Sequence, residues 1–110
     1  MSKRGYRLYL VDIKTALENV EQYTAGLPMA DFIGDQKTVD AVVRNLEIMG
    51  EAAANLTEDE REKYPAVPWG KIIGMRNKVI HEYFGVDTEI LWQTIKEDLP
   101  KLKEEIEKIG

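Results

Sequence analysis

Arg76, His81 and Tyr83 stand in the order Arg-x4-His-x-Tyr within RNKVIHEY, residues 76–83, and His81 is the single histidine of the chain. An arginine offers a planar fork of N–H donors that matches a phosphate. An imidazole takes up or releases a proton near neutral pH. Together they suit metal-free cleavage of a phosphodiester, in which a ribose 2′-hydroxyl attacks the neighbouring phosphorus. His81 would move the proton and Arg76 would stabilise the charged phosphorane. Such a reaction wants both an acid and a base. With one histidine, either one group serves in turn or a symmetric dimer brings two copies to one cleft.

The same residue types also admit a structural role. A histidine near a helix C-terminus is a favourable dipole partner, or a buried group satisfied by hydrogen bonds. Tyr83 and Phe84 suit core aromatics with a polar tip at the surface. Trp69 is expected in the core rather than as a base-stacking platform. On a regular helix Arg76 and His81 lie roughly 140° apart around the axis. They converge only if the helix end unwinds or a cleft wraps around it. Arg76 and Tyr83 share one face, and Asn77 and His81 share another.

The motif needs a helix to hold it, and helices are what the chain encodes. Leu10, Ile13, Leu17 and Val20 recur at three-and-four spacing, which predicts a first helix over 6–24, ended by Ala25-Gly26-Leu27-Pro28. Residues 29–34 read as a connection with a short helical turn around Phe32. Asp35 is a good N-cap for a second helix over 36–56, whose stripe is Val39, Val42, Val43, Leu46, Met49, Ala53 and Leu56. Gly50 inside it should cost about 1 kcal/mol relative to alanine. With the alanines around it, Gly50 implies that another helix passes close. Glu51 reads either as an exposed carboxylate or as a partner for Arg76 from the facing helix.

Thr57 and Glu60 form a capping box for a short helix, and Pro65 and Pro68 impose an irregular link. Trp69 opens a third helix to about Tyr83, with Ile72, Ile73, Val79 and Ile80 as its core residues. Gly85 breaks it and Asp87 caps a fourth helix. The long face of that helix is Ile90, Leu91, Ile95, Leu99, Leu102, Ile106 and Ile109. Pro100 predicts a kink there or a break into two helices. No segment alternates with the period of a strand. The expected fold is all-α, an up-down bundle of four to five helices in a single domain over 1–110.

Composition sets the outer bounds. The chain has 110 residues, 44% of them hydrophobic, no cysteine and a net charge of -5. A domain of this size buries a modest core, which dimerisation would extend. The lack of cysteine removes any disulfide framework or thiolate metal site and fits a reducing, cytoplasmic setting. No run approaches the ~20 apolar residues of a membrane span. The acidic balance argues against broad non-specific nucleic-acid binding. Lys71, Arg76 and Lys78 nevertheless make the motif segment locally basic, enough to hold a phosphate. No spacing of acidic residues singles out a metal pair, and no glycine-rich phosphate loop or serine triad is present.

Four stretches carry a family resemblance: YLVDIKTAL, AVVRNLEIMGEAA, PAVPWGKIIGMRNKVIHEYFGVD and WQTIKEDLPKL. With the Arg-x4-His-x-Tyr signature inside the third of them, the chain closely resembles the HepT-like family of HEPN-domain proteins over nearly its whole length. The resemblance implies a HEPN-like all-α homodimer, with the motifs of both subunits facing a shared cleft. It implies the toxin of a type VII toxin–antitoxin pair, a metal-independent ribonuclease that needs no cofactor. Arg76 and His81 would be its catalytic pair, supported by Asn77, with Glu51 as a further supporting candidate. The implied partner is an MntA-type minimal nucleotidyltransferase antitoxin, which transfers AMP to the motif tyrosine, here Tyr83. A non-catalytic subunit that binds and regulates such a nucleotidyltransferase is the alternative. The dimer interface would use the second and third helices or the first and fourth.

Overall fold

A computed structural model describes the backbone of residues 5–82 and 88–109 and the side chains of residues 5–76 and 88–109. The described residues form α1 (Tyr6–Thr24), α2 (Met29–Ile33), α3 (Gln36–Asn55), α4 (Glu58–Glu62), α5 (Trp69–Glu82), α6 (Thr88–Gln93), a π turn (Thr94–Asp98) and α7 (Leu99–Glu107). No strand occurs among them. The π turn joins α6 and α7 into one continuous rod, so four long helical elements and two short ones build an all-α bundle. The helix break expected at Gly85 and the N-cap expected at Asp87 lie outside the described residues.

α3 packs along α1 and α5 along α3, while the C-terminal rod returns to α1 and α2. The start of α1 meets the chain just beyond α4, where the Lys63 ammonium stands 4.6 Å over the Tyr6 ring. Farther along the α1–α3 seam, Asn19 Nδ2 donates to Asn45 Oδ1 at 3.2 Å, while Asn45 Nδ2 donates to the Ala41 carbonyl at 2.8 Å. These bonds satisfy a buried asparagine that would otherwise weaken the seam. The α1–α7 seam carries a Lys103 ion pair with Glu21 at 2.8 Å. The expected stripes of α1 and α3 are buried throughout, from Leu10 to Val20 and from Val39 to Leu56.

The turn after α1 is made by Gly26, whose φ of 74° is a left-handed conformation that glycine adopts without penalty. The short helical turn expected around Phe32 in the connection is present as a five-residue helix, and it buries Phe32 completely. Phe32 meets Trp92 of α6 with ring centroids 5.0 Å apart. Tertiary burial of one aromatic therefore stabilises a helix too short to stand alone.

The rod at the C-terminal end departs from a regular helix for two reasons. Pro100 has no N–H, and its ring crowds the carbonyl four residues back in an α-helix. The preceding π turn relieves this, with the Leu99 N–H reaching the Thr94 carbonyl. Leu91, Ile95 and Leu99 are all buried at successive spacings of four. On a regular α-helix eight residues drift roughly 80° past two turns, and the wider π turn brings them back to one face. Ile90, expected on the buried face, is 43% exposed in consequence. The predicted interruption at Pro100 thus takes the form of a π turn within a continuous rod.

Candidate functional site

The site begins where α3 and α4 hand the chain to α5. Thr57 Oγ1 accepts from the Glu60 N–H and Glu60 Oε1 accepts from the Thr57 N–H, a capping box that starts α4. Arg61 of α4 donates to the Ala53 carbonyl of α3 at 3.3 Å. Trp69 then opens α5 with its indole buried, donating to the Arg61 carbonyl at 2.9 Å and the Tyr64 carbonyl at 3.1 Å. Trp69 is therefore a clamp rather than a stacking surface. Pro68 accepts from the Lys71 and Ile72 N–H groups at the helix start.

From this anchor α5 runs along α3. Trp69, Ile72 and Arg76 follow one another at spacings of three and four, so they share the face that packs on α3. Ile72 is fully buried. Arg76 occupies the next place in this row, where a packing helix would ordinarily carry an apolar residue. It sits against Gly50 of α3, and a Cβ at Gly50 would overlap the Arg76 Cβ and stand 3.1 Å from its Cα. The close helix approach expected at Gly50 is thus present, and what passes there is the arginine of the motif.

Arg76 is half-buried, and its Nε has no hydrogen-bond partner among the described residues although it is shielded from water. A buried donor left unpaired costs about 1–3 kcal/mol. Glu51 lies next to Gly50 on α3 but is exposed, and among the described residues no ion pair joins it to Arg76. Of the two readings of Glu51, the exposed carboxylate matches the described side chains. Lys71 is exposed and stands 3.5 Å from Asp98, which tempers the local positive charge.

The backbone of α5 remains helical through Glu82, so it does not unwind between residues 76 and 81. Those two positions stay roughly 140° apart around the axis. The side chains of Asn77, Lys78, Val79, Ile80 and His81, and all of Tyr83, lie outside the described residues. Among the described residues no group of three acidic, histidine or cysteine side chains is placed to hold a metal ion. No helix there is long and apolar enough to cross a membrane.

The family described as "Ribonuclease HepT-like" matches residues 13–109. The chain belongs to the HepT-like ribonuclease family. It is similar to the protein named "Probable ribonuclease HepT" of Thermococcus cleftensis, 47% identical over 107 residues that cover 97% of each chain. It is also similar to "Putative RNase MJ1380" of Methanocaldococcus jannaschii, 44% identical over 97% of this chain and 98% of the relative. A third relative, "Putative RNase TTE0752" of Caldanaerobacter subterraneus, is 44% identical over 94% of this chain and 92% of its own. No solved structure gives a significant match. In this HepT-like chain the sequence reading missed that Arg76 lies in the buried row of its helix. The signal was present in the Trp69, Ile72, Arg76 spacing, where a cation interrupts an apolar stripe.

Proposed function

We propose that this HepT-like chain is a ribonuclease toxin that cleaves RNA by general acid–base chemistry without a metal. One observation carries the reading: Arg76 is held in a packing row with its inner nitrogen unpartnered among the described residues, in a chain whose relatives are named ribonucleases. A cation kept there at an energetic cost gains an anionic partner when an RNA phosphate arrives.

In the proposed reaction an imidazole at position 81 accepts the proton of a ribose 2′-hydroxyl as its oxygen bonds to phosphorus. Arg76 donates to the phosphorane oxygens. The 5′-oxygen then leaves with a proton returned by imidazolium, giving a 2′,3′-cyclic phosphate and a 5′-hydroxyl. Because 76 and 81 fall on different sides of α5, a homodimer with the two motifs across one cleft supplies the geometry more readily than one helix does. Asn77 supports the pair. Transfer of AMP to Tyr83 by a partner minimal nucleotidyltransferase would add bulk and negative charge where the RNA phosphate binds, and so silence the toxin.

The test is cleavage of end-labelled RNA by the purified chain in the presence of a chelator, beside Arg76→Ala and His81→Ala. Loss of cleavage in both variants with unchanged helical content is the expected result. Intact mass before and after incubation with the nucleotidyltransferase and ATP should show added AMP that Tyr83→Phe cannot accept. RNA left whole by the unmodified wild type overturns the ribonuclease reading, and an unchanged mass with an active partner removes the AMP mechanism.

A further inference from the structure

We infer that Gly50 is a positioning residue for Arg76: its missing side chain lets the arginine stem seat against α3 and sets where the guanidinium meets a phosphate. This rests on the reading of Arg76 as the phosphate-binding residue. The obstruction a larger residue would create falls on the Arg76 Cβ, on its Cα at 3.1 Å and on its Cγ at 3.2 Å. Rotating the arginine side chain moves neither Cα nor Cβ, so only a displacement of α5 from α3 relieves the overlap. Met49 and Ala53 of α3 and Ile72 of α5 are all 0% exposed around the crossing. A close-packed seam of this kind has no void to absorb such a shift. Among the described residues no hydrogen bond at Nε holds the stem, so packing on α3 sets its direction. Trp69 anchors the start of α5 to α4 and the link after it, and Arg61 of α4 is in turn bonded to Ala53 of α3. A helix pushed outward at Gly50 therefore pivots about that anchor and carries Arg76 with it.

The test compares full-length wild type, Gly50→Ala and Ile106→Val on an end-labelled, mixed-sequence single-stranded RNA, well below every melting transition. Gly50→Ala should lower kcat on the order of 100-fold, the scale of a displacement near 1 Å, with KM little changed. Ile106→Val, which loosens the α1–α7 seam away from the site, should melt lower yet keep wild-type kcat. Retention of wild-type kcat by Gly50→Ala, or an equal loss in Ile106→Val, overturns the positioning role.

A second measurement serves even if Gly50→Ala folds poorly. Its effect on the thermal midpoint is compared in wild type and in Arg76→Gly, which has no Cβ to strike. A drop in wild type that shrinks or reverses in Arg76→Gly is expected, and equal drops in both backgrounds overturn the contact itself. If wild type cuts no RNA, the ribonuclease reading falls and the positioning role falls with it. A cleaving wild type beside an equally active Gly50→Ala removes the positioning role alone.

Discussion

Arg76 stands out at the residue scale by what its placement costs. A leucine at that place would complete the Trp69–Ile72 row, and an arginine instead leaves a shielded nitrogen without a partner among the described residues. Arg76→Lys separates charge from shape, because lysine keeps the positive charge but loses the planar fork. Under the proposed chemistry it should lower kcat about 100-fold, since phosphorane oxygens lose paired donors. Steady-state kinetics on labelled RNA check this, and near-normal turnover would mean that charge alone suffices. Glu51 carries no comparable signal, as it is exposed and makes no ion pair with Arg76 among the described residues. Its substitution should change turnover little beside that of Arg76.

At the level of elements, two helix starts position everything that follows. Trp69 ties α5 to α4 and to the link after it through the carbonyls of Arg61 and Tyr64. Trp69→Phe removes both bonds and should destabilise the fold by about 1–3 kcal/mol, read as a lower urea midpoint. Asp35 starts α3, accepting from the Thr38 hydroxyl at 2.7 Å and the Thr38 N–H at 3.3 Å. The hydroxyl bond above all, then the backbone bonds, hold its carboxyl below the ordinary 3.8. A depressed folded-state pKa stabilises at pH above the unfolded value and loses that contribution as pH falls through the folded one. Asp35→Ala should therefore melt lower than wild type at neutral pH, and the gap should close on acidification below the ordinary aspartate value. Thermal melts across that range decide it, and a gap independent of pH would assign the cap to something other than the carboxylate.

For the whole molecule the question is how one histidine serves a reaction that needs an acid and a base. The uninterrupted helix from 76 to 81 keeps those positions on different sides of α5. The proposed shared cleft in a homodimer would answer both points, and it would make activity depend on assembly. RNA cleavage per protomer should then fall when the protein is diluted through its dissociation range, with sedimentation recording the loss of dimer over the same range. Constant activity per protomer while dimers disappear would show that one copy is sufficient. The acidic body, with a net charge of -5, makes a local phosphate site more plausible than a broad basic surface as the means of holding RNA.

Helix class, most boundaries and the motif were legible in residue order, because periodicity, caps and breakers are local properties. The first helix begins and ends where its apolar spacing and its glycine–proline stop put it, and the capping box at Thr57 forms as written. The family resemblance was equally legible, since it lives in contiguous blocks. Three features depended on neighbours that only folding brings together. The helical turn around Phe32 was legible, but its partner Trp92 was not. Ile90 turns outward because a π turn re-registers the rod that Leu91, Ile95 and Leu99 bury. Arg76 acquires its setting from Gly50, a residue of another helix, and a contact across two helices depends on how closely their backbones pack.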